Sequence, residues 1–143
     1  MKTIGITGGV GAGKSTVLDF LRETYQASVC EADKVAHELQ RPGEGCYQEI
    51  LKVFGPEILC DDQTIDRKRL GSIVFADVEK LKRLNGIVHP KVKEWIRKKQ
   101  EEEQRDGTKL FIIEAALLLE DHYEEICDEL WYVYADEDAR RRR

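Results

Sequence analysis

The residues best suited to chemistry lie near the amino terminus, where four glycines precede a lysine and a hydroxyl side chain. They follow the phosphate-binding pattern G-x-x-x-x-G-K-[ST] and comprise Gly8, Gly9, Val10, Gly11, Ala12, Gly13, Lys14, Ser15 and Thr16. Glycines let the backbone curl so that N–H groups point at phosphate oxygens. In this pattern Lys14 reaches the β- and γ-phosphates, Ser15 ligates Mg²⁺, and Thr16 could donate to the α-phosphate. The segment predicts binding of a nucleoside triphosphate with Mg²⁺; the alternative is a glycine-rich turn between a strand and a helix.

Two carboxylates could complete a phosphoryl-transfer site, because such chemistry needs a group that accepts the proton of the attacking hydroxyl. Asp33 follows a predicted strand at the start of a helix, so it is a candidate base or simply a helix cap. Glu114 ends another predicted strand, where an acidic residue can hold Mg²⁺ through water. A carboxylate there can equally accept a hydrogen bond from a neighbouring backbone amide.

Basic side chains further along the chain are candidates for substrate binding. The guanidinium groups of Arg67 and Arg69 suit phosphates, although single arginines are common on any surface. His89 precedes Pro90 and could contact a substrate or only mark a helix break.

The elements that must position these side chains alternate between strands and helices. Short apolar runs predict strands at 3–7, 27–31, 109–114 and 130–134. Strands separated by helices predict an α/β fold with a parallel sheet flanked by helices in three layers. Ligands bind such sheets at the carboxyl edge of the strands. That edge would carry the glycine loop, Glu31, Asp33 and Glu114.

Helices are predicted between these strands from apolar periodicity and capping residues. They cover about 14–25, 34–39 and 46–54, a segment capped by Asp66, and a long segment from Asp77. Pro90 predicts a kink or the start of a new helix, and the polar tail at 98–106 a solvated helix end. The residues from 136 to 143 look like the beginning of one more helix.

Composition narrows the classes of protein to which the chain can belong. The 143 residues suffice for one domain with a real core, and 36% of them are charged. A formal net charge of -5 argues against a nucleic-acid partner held through its phosphates. No stretch resembles a membrane span or a signal peptide. The four cysteines have no zinc-like spacing, which favours reduced thiols and a cytoplasmic location.

Taken together, these segments resemble the dephospho-coenzyme A kinases. The matching segments are IGITGGVGAGKST at 4–16, EAD at 31–33, FGPEIL at 54–59, IDRKRL at 65–70, IVFAD at 73–77, LNGIVHP at 84–90 and IEAALLLE at 113–120. The segments around Arg67 and His89 are more specific than the glycine loop, which many unrelated enzymes share.

The resemblance implies a single P-loop kinase domain over residues 1–143, with a helical acceptor-binding insertion at about 34–105. It implies transfer of the γ-phosphoryl of ATP to the ribose 3′-hydroxyl of dephospho-coenzyme A, with Mg²⁺. By this resemblance, Lys14 and Asp33 are the catalytic residues. Arg67, His89 and Asp33 bind the acceptor substrate. Ser15 binds the metal directly and Glu114 binds it through water.

Some features depart from the family pattern. Glu31 and Glu114 stand where aspartates are usual, and Ala116 stands where proline is usual. Family members continue for some tens of residues beyond the position of Arg143, with a lid and a last strand. Because an open lid cannot exclude water from the site, we expect the 143-residue chain alone to be weakly active or inactive.

Three other functions stay open on the residues alone. A nucleoside monophosphate kinase would phosphorylate AMP or CMP. A GTP-dependent switch protein would need an N-K-x-D guanine motif, which does not occur in the sequence. A non-catalytic nucleotide-binding module would not need the combination of Lys14, Ser15 and Asp33.

Overall fold

Four strands and five α-helices lie within the residues that this computed structural model describes, which are 1–8, 13–116, 118 and 122–133. The strands are β1 (Lys2–Gly8), β2 (Ser28–Glu31), β3 (Leu110–Glu114) and β4 (Glu129–Val133). The helices are α1 (Lys14–Tyr25), α2 (Ala32–Leu39), α3 (Tyr47–Phe54), α4 (Arg67–Phe75) and α5 (Val78–Arg105). Residues 9–12 of the glycine loop and the helix predicted at 136–143 lie outside the described residues.

The four strands form one parallel sheet in the order β2-β3-β1-β4. Glu114 at the end of β3 is in register with Glu31 of β2 on one side and Ile6 of β1 on the other. On the far side of β1, Gly8 is in register with Val133 of β4. The predicted parallel α/β sheet is therefore confirmed, and the carboxyl ends of its strands meet at one edge.

Helix α1 covers one face of the sheet because alternate residues of β1 point toward it. Ile4 and Ile6 form a buried apolar cluster with Leu18 and Leu21 of α1 and with Ile112 of β3. Burying an aliphatic side chain contributes about 1.5–3 kcal/mol, so this cluster fixes the start of α1 against the sheet.

The last turns of α5 cover the opposite face through polar contacts. Gln100 Nε2 donates to Thr3 Oγ1 at 2.7 Å and to the carbonyl of Ile126 at 2.9 Å. Glu103 Oε1 accepts from Ser28 Oγ at 3.0 Å. The prediction of a solvated tail at 98–106 is therefore wrong for Gln100 and Glu103, and the sheet has helices on both faces.

Pro90 does not begin a new helix, because α5 is continuous from Val78 to Arg105 with Pro90 inside it. An interior proline costs about 3 kcal/mol or more in lost hydrogen bonding and steric conflict. Val88 and Val92 flank Pro90 and are 6% and 4% exposed. Burial of this apolar stripe on both sides of the proline offsets the loss.

The chain divides into two compact units. The first contains Met1–Asp33 and Ile96–Arg143, and the second contains Lys34–Trp95. In the second unit, Asp66 caps α4 by accepting from the Arg69 amide at 3.2 Å, as the sequence predicts. None of the helices in the described ranges combines the length and the apolar character needed to cross a bilayer.

Candidate functional site

Two glycines at the borders of the loop occupy positions that a larger residue would disturb. A Cβ on Gly8 would lie 2.7 Å from the Val133 carbonyl oxygen, so β1 and β4 approach too closely for a side chain there. Gly13 has φ 86°, in the left-handed region where glycine is favoured, and it is the N-cap of α1. Residues Gly9, Val10, Gly11 and Ala12 lie outside the described residues.

Helix α1 begins directly at the residues predicted to hold phosphates and metal. Lys14 is its first residue, followed by Ser15 and Thr16, both exposed. The first N–H groups of a helix lack intrahelical partners and carry partial positive charge. With the glycine at the cap, this end of α1 has the character of an anion-binding site.

Lys14 and Glu114, which are 100 positions apart in the sequence, form an ion pair. Lys14 Nζ lies 2.5 Å from Glu114 Oε1, and the two side chains are only 24% and 11% exposed. Sheet register explains the contact, since Glu114 ends β3 beside β1, the strand that leads into the loop. The partner of Glu114 is thus the lysine ammonium, a charged group on the loop side of the sheet.

Asp33 lies at the same edge of the sheet, immediately after β2. It is the second residue of α2 and is exposed. Because α2 begins at Ala32, Asp33 stands inside the first turn, and the alternative of Asp33 as the N-cap is wrong. Glu31, two residues before Asp33, is in register with Glu114, the residue that pairs with Lys14.

Arg67 and His89 belong to the second unit. Arg67 is the first residue of α4 and its side chain lines a cleft. Arg69, two residues later, donates from Nη1 to the Glu57 carbonyl at 2.5 Å and lies 3.9 Å from Asp66. The two arginines therefore differ: one faces a cleft and the other fixes a turn. His89 is half-buried within α5.

The cleft beside Arg67 also contains residues that the sequence did not single out. His37 and Arg41, near the end of α2, contribute to its walls. The sequence carries no periodic signal for this pair, because α2 ends at Leu39 and Arg41 lies in the turn beyond it.

Comparisons with known proteins agree along nearly the whole chain. The family model for dephospho-CoA kinase matches residues 2–143. A dephospho-CoA kinase of Geobacillus kaustophilus is 43% identical over 141 residues, which is 99% of this chain and 70% of that protein. A dephospho-CoA kinase of Aquifex aeolicus is 43% identical over 143 residues, which is 100% of this chain and 71% of that protein.

Two solved structures have a fold similar to that of this chain. A Thermus thermophilus structure has a TM-score of 0.77 and 34% identity, covering 99% of this chain and 69% of that one. Dephospho-CoA kinase from Campylobacter jejuni has a TM-score of 0.71 and 27% identity, covering 90% of this chain and 65% of that one. The glycine-bordered loop, the parallel sheet and these matches lead to one conclusion: this chain belongs to the dephospho-CoA kinase family.

Proposed function

We propose that this chain is a cytoplasmic kinase that transfers the γ-phosphoryl group of ATP to the ribose 3′-hydroxyl of dephospho-coenzyme A, the last step of coenzyme A synthesis. The observation that carries the proposal is the family match over residues 2–143, which includes the glycine loop and the segments around Arg67 and His89. The domain is a single kinase domain whose helical segment, at about 34–105, binds the acceptor.

The glycine loop binds the phosphates of ATP in this proposal. Its residues are Gly8, Gly9, Val10, Gly11, Ala12, Gly13, Lys14, Ser15 and Thr16. The start of α1, which no side chain caps, and the left-handed Gly13 support this role, because free N–H groups and a positive helix end attract phosphate. The Lys14 ammonium neutralises charge that develops on the transferred group.

Asp33 acts as the base. The 3′-oxygen attacks the γ-phosphorus, its proton passes to the Asp33 carboxylate, and the bond from phosphorus to the β–γ bridging oxygen breaks to release ADP. The exposure of Asp33 at the carboxyl edge of the sheet supports this assignment, since a base must be accessible to its substrate.

Mg²⁺ would be held by the Ser15 hydroxyl and, through water, by Glu114. These residues suit the ion, because Mg²⁺ takes oxygen ligands and usually combines one or two protein groups with water and substrate phosphates. Glu114 is a mostly buried carboxylate that the Lys14 ammonium already contacts, and Ser15 follows Lys14 directly. When bound, the ion neutralises phosphate charge.

Arg67 and His89 contact the acceptor.

Acceptor assays test the proposed function. The chain and purified relatives are supplied with ATP or GTP and with dephospho-coenzyme A, AMP or CMP. We expect phosphate transfer from ATP to dephospho-coenzyme A, measured by product mass, at a rate well below that of the longer relatives. Transfer to AMP or CMP with none to dephospho-coenzyme A would show that the acceptor is wrong.

The change Asp33→Asn tests the base. Removing a positioned general base typically lowers the rate 10²–10⁴-fold, so kcat should fall by about that much while nucleotide binding persists. Asp19→Asn is the matched control, because Asp19 is an exposed helix residue whose pair with Arg22 spans 3.3 Å at the surface. If Asp33→Asn turned over as fast as Asp19→Asn, Asp33 would not be the base.

A further inference from the structure

A cavity of about 410 Å³ lies at the amino ends of the strands in the first unit, opposite the edge that carries the glycine loop. The start of β1, the last turns of α5 and the segment before β4 form its walls. The residues that define this amino-edge cavity here are Thr3, Arg97, Gln100, Glu101, Gln104 and Asp128. Its volume falls within the range of sites for small molecules.

Polar contacts between the three walls fix the floor of the amino-edge cavity. Gln100 Nε2 of α5 donates to Thr3 Oγ1 of β1 at 2.7 Å and to the carbonyl of Ile126 at 2.9 Å. The Thr3 amide donates to Asp128 Oδ2 at 2.7 Å, and the Asp128 amide donates back to the Thr3 carbonyl at 2.8 Å. Because the fold already orders these groups, a ligand in this cavity does not have to order them.

The wall formed by α5 carries two opposite charges that do not neutralise each other. Arg97, Gln100, Glu101 and Gln104 follow one another at helical spacing, so they share one face of α5, and all four line the cavity. Arg97 and Glu101 have the four-residue spacing of an ion pair, yet within the described part of the chain neither forms one. The order with the cation first is the less favourable one for such a pair. A guanidinium and a carboxylate therefore remain available to a ligand in the same cavity.

The other charges make the cavity acidic on balance. Glu125 and Asp128, on the segment before β4, add two carboxylates to that of Glu101, whereas Arg97 brings one guanidinium. Such walls complement a ligand with one anionic group and more than one cationic group. A basic α-amino acid has this distribution of charge. Its carboxylate suits the guanidinium fork of Arg97, and its two cationic groups suit the carboxylates.

We propose that the amino-edge cavity binds a basic α-amino acid, with Arg97 on its carboxylate and Glu101 on its α-ammonium group. Glu125 and Asp128 face its cationic side chain. The proposal does not depend on the kinase function, because the cavity lies at the other end of the strands from the glycine loop.

Met1 gives a direct probe of binding, because it is the single methionine of the sequence and it lines the cavity. Isotopic labelling of the methionine methyl group yields one NMR signal, which reports on this site. L-arginine, agmatine and N-acetyl-L-arginine are titrated separately into the labelled protein. Agmatine lacks the carboxylate that Arg97 would contact, and N-acetyl-L-arginine lacks the α-ammonium charge that Glu101 would contact.

We expect L-arginine to shift the Met1 signal saturably, and the two truncated compounds to bind at least about fivefold more weakly. Arg97→Gln and Glu101→Gln should each weaken L-arginine binding by about fivefold or more, the effect of losing one charged hydrogen bond at a partly exposed site. Arg105→Gln and Glu102→Gln are the matched controls, since each removes the same charge from an exposed position of α5 outside the cavity lining. Both controls should change the affinity by less than about twofold.

Agmatine separates a contact to the carboxylate from a general effect of charge. Because agmatine has no carboxylate, Arg97→Gln should not weaken its binding, whereas it should weaken that of L-arginine. Agmatine that bound as tightly as L-arginine would overturn the proposal, since the cavity would then be a site for cations alone.

Three further outcomes would overturn the proposal. They are a stationary Met1 signal with L-arginine, a shift that grows without saturation, and equal weakening by the cavity variants and their controls. Urea unfolding checks that Arg97→Gln and Glu101→Gln fold. Since neither side chain has an ion pair or hydrogen bond within the described residues, we expect both variants to be about as stable as the parent.

Discussion

The role of a single residue in this chain depends on the contacts of that residue as much as on its chemical type. Gly8 belongs to a phosphate-binding motif, yet the proximity of the Val133 carbonyl would require glycine there even without a ligand. Arg67 and Arg69 look alike in the sequence, but only Arg67 lines a cleft, while Arg69 donates to the Glu57 carbonyl. Residue type alone therefore does not separate a binding role from a structural one.

The change Gly8→Ala tests this at the residue scale. Its Cβ would meet a backbone oxygen at 2.7 Å, so β1 or β4 must shift, and we expect a loss of about 1–3 kcal/mol in the free energy of unfolding. Gly71→Ala is the control, because its Cβ meets nothing within 4 Å in the interior of α4, and alanine should stabilise that helix by up to about 1 kcal/mol. Urea unfolding measures both. Equal effects of the two changes would contradict the close approach of β4.

Among the elements, α5 combines two kinds of contact along one helix. Near Pro90 its inward side is apolar, whereas its last turns meet the sheet through Gln100 and Glu103. Glu103 accepts from Ser28 and Thr108, and Lys99 Nζ lies 3.3 Å from it. These polar contacts attach the end of α5 to β2 and to the turn before β3.

The pH dependence of stability should reveal the Glu103 contacts. The Thr108 hydrogen bond above all, with Ser28 and Lys99, lowers the pKa of Glu103 below the 4.5 that is usual for a glutamate. A lowered pKa in the folded state means that the stabilisation is present above pH 4.5 and is lost as the pH falls through the folded value. Glu103→Gln should therefore be less stable than the parent at pH 7, by about 1–2 kcal/mol, and the gap should narrow toward pH 3.

Unfolding by urea at several pH values measures this, with Glu102→Gln as control. Glu102 is the exposed neighbour on α5, and its change should stay within about 0.5 kcal/mol of the parent. A gap for Glu103→Gln that stayed constant between pH 7 and pH 3 would contradict the role of the carboxylate.

Across the whole molecule, the family match covers residues of both compact units. The first unit carries the loop, Lys14, Glu114 and Asp33, and the second carries Arg67 and His89. The chain spans about 70% of the length of the Geobacillus and Aquifex relatives. Nucleotide binding can be tested on the whole chain by measuring its thermal stability with and without the nucleotide.

Ligand binding to the folded state should raise the melting temperature. At a hundred times its Kd, MgATP would stabilise the chain by about 2.7 kcal/mol, a Tm increase on the order of 10 °C for a protein of this size. Calorimetry with and without MgATP measures the shift. Lys14→Met should abolish most of it, and Lys52→Met, a change at an exposed lysine of α3, should keep it. The same shift in both variants would argue against a phosphate contact at Lys14.

Sequence patterns predicted what depends on local spacing. The limits of β1 and α1, the cap at Asp66 and the parallel sheet follow from short-range periodicity, capping and turn chemistry. At Pro90 the sequence left two outcomes open, a kinked helix or the start of a new one, and could not decide between them, because the continuous helix depends on the burial of Val88 and Val92. The contacts of Gln100 and Glu103 leave no periodic signal either, since polar side chains in a helix usually indicate solvent.

The Lys14–Glu114 contact means that the Lys14 side chain loses its conformational entropy when the protein folds, before any ligand binds. A lysine side chain has four rotatable bonds, and ordering it costs up to about 1.5–2 kcal/mol. Because Glu114 confines this side chain to a 2.5 Å contact in a largely buried setting, the cost falls on folding. A nucleotide phosphate that meets Lys14 then encounters an ammonium group of restricted position, so binding there does not have to freeze a freely rotating chain.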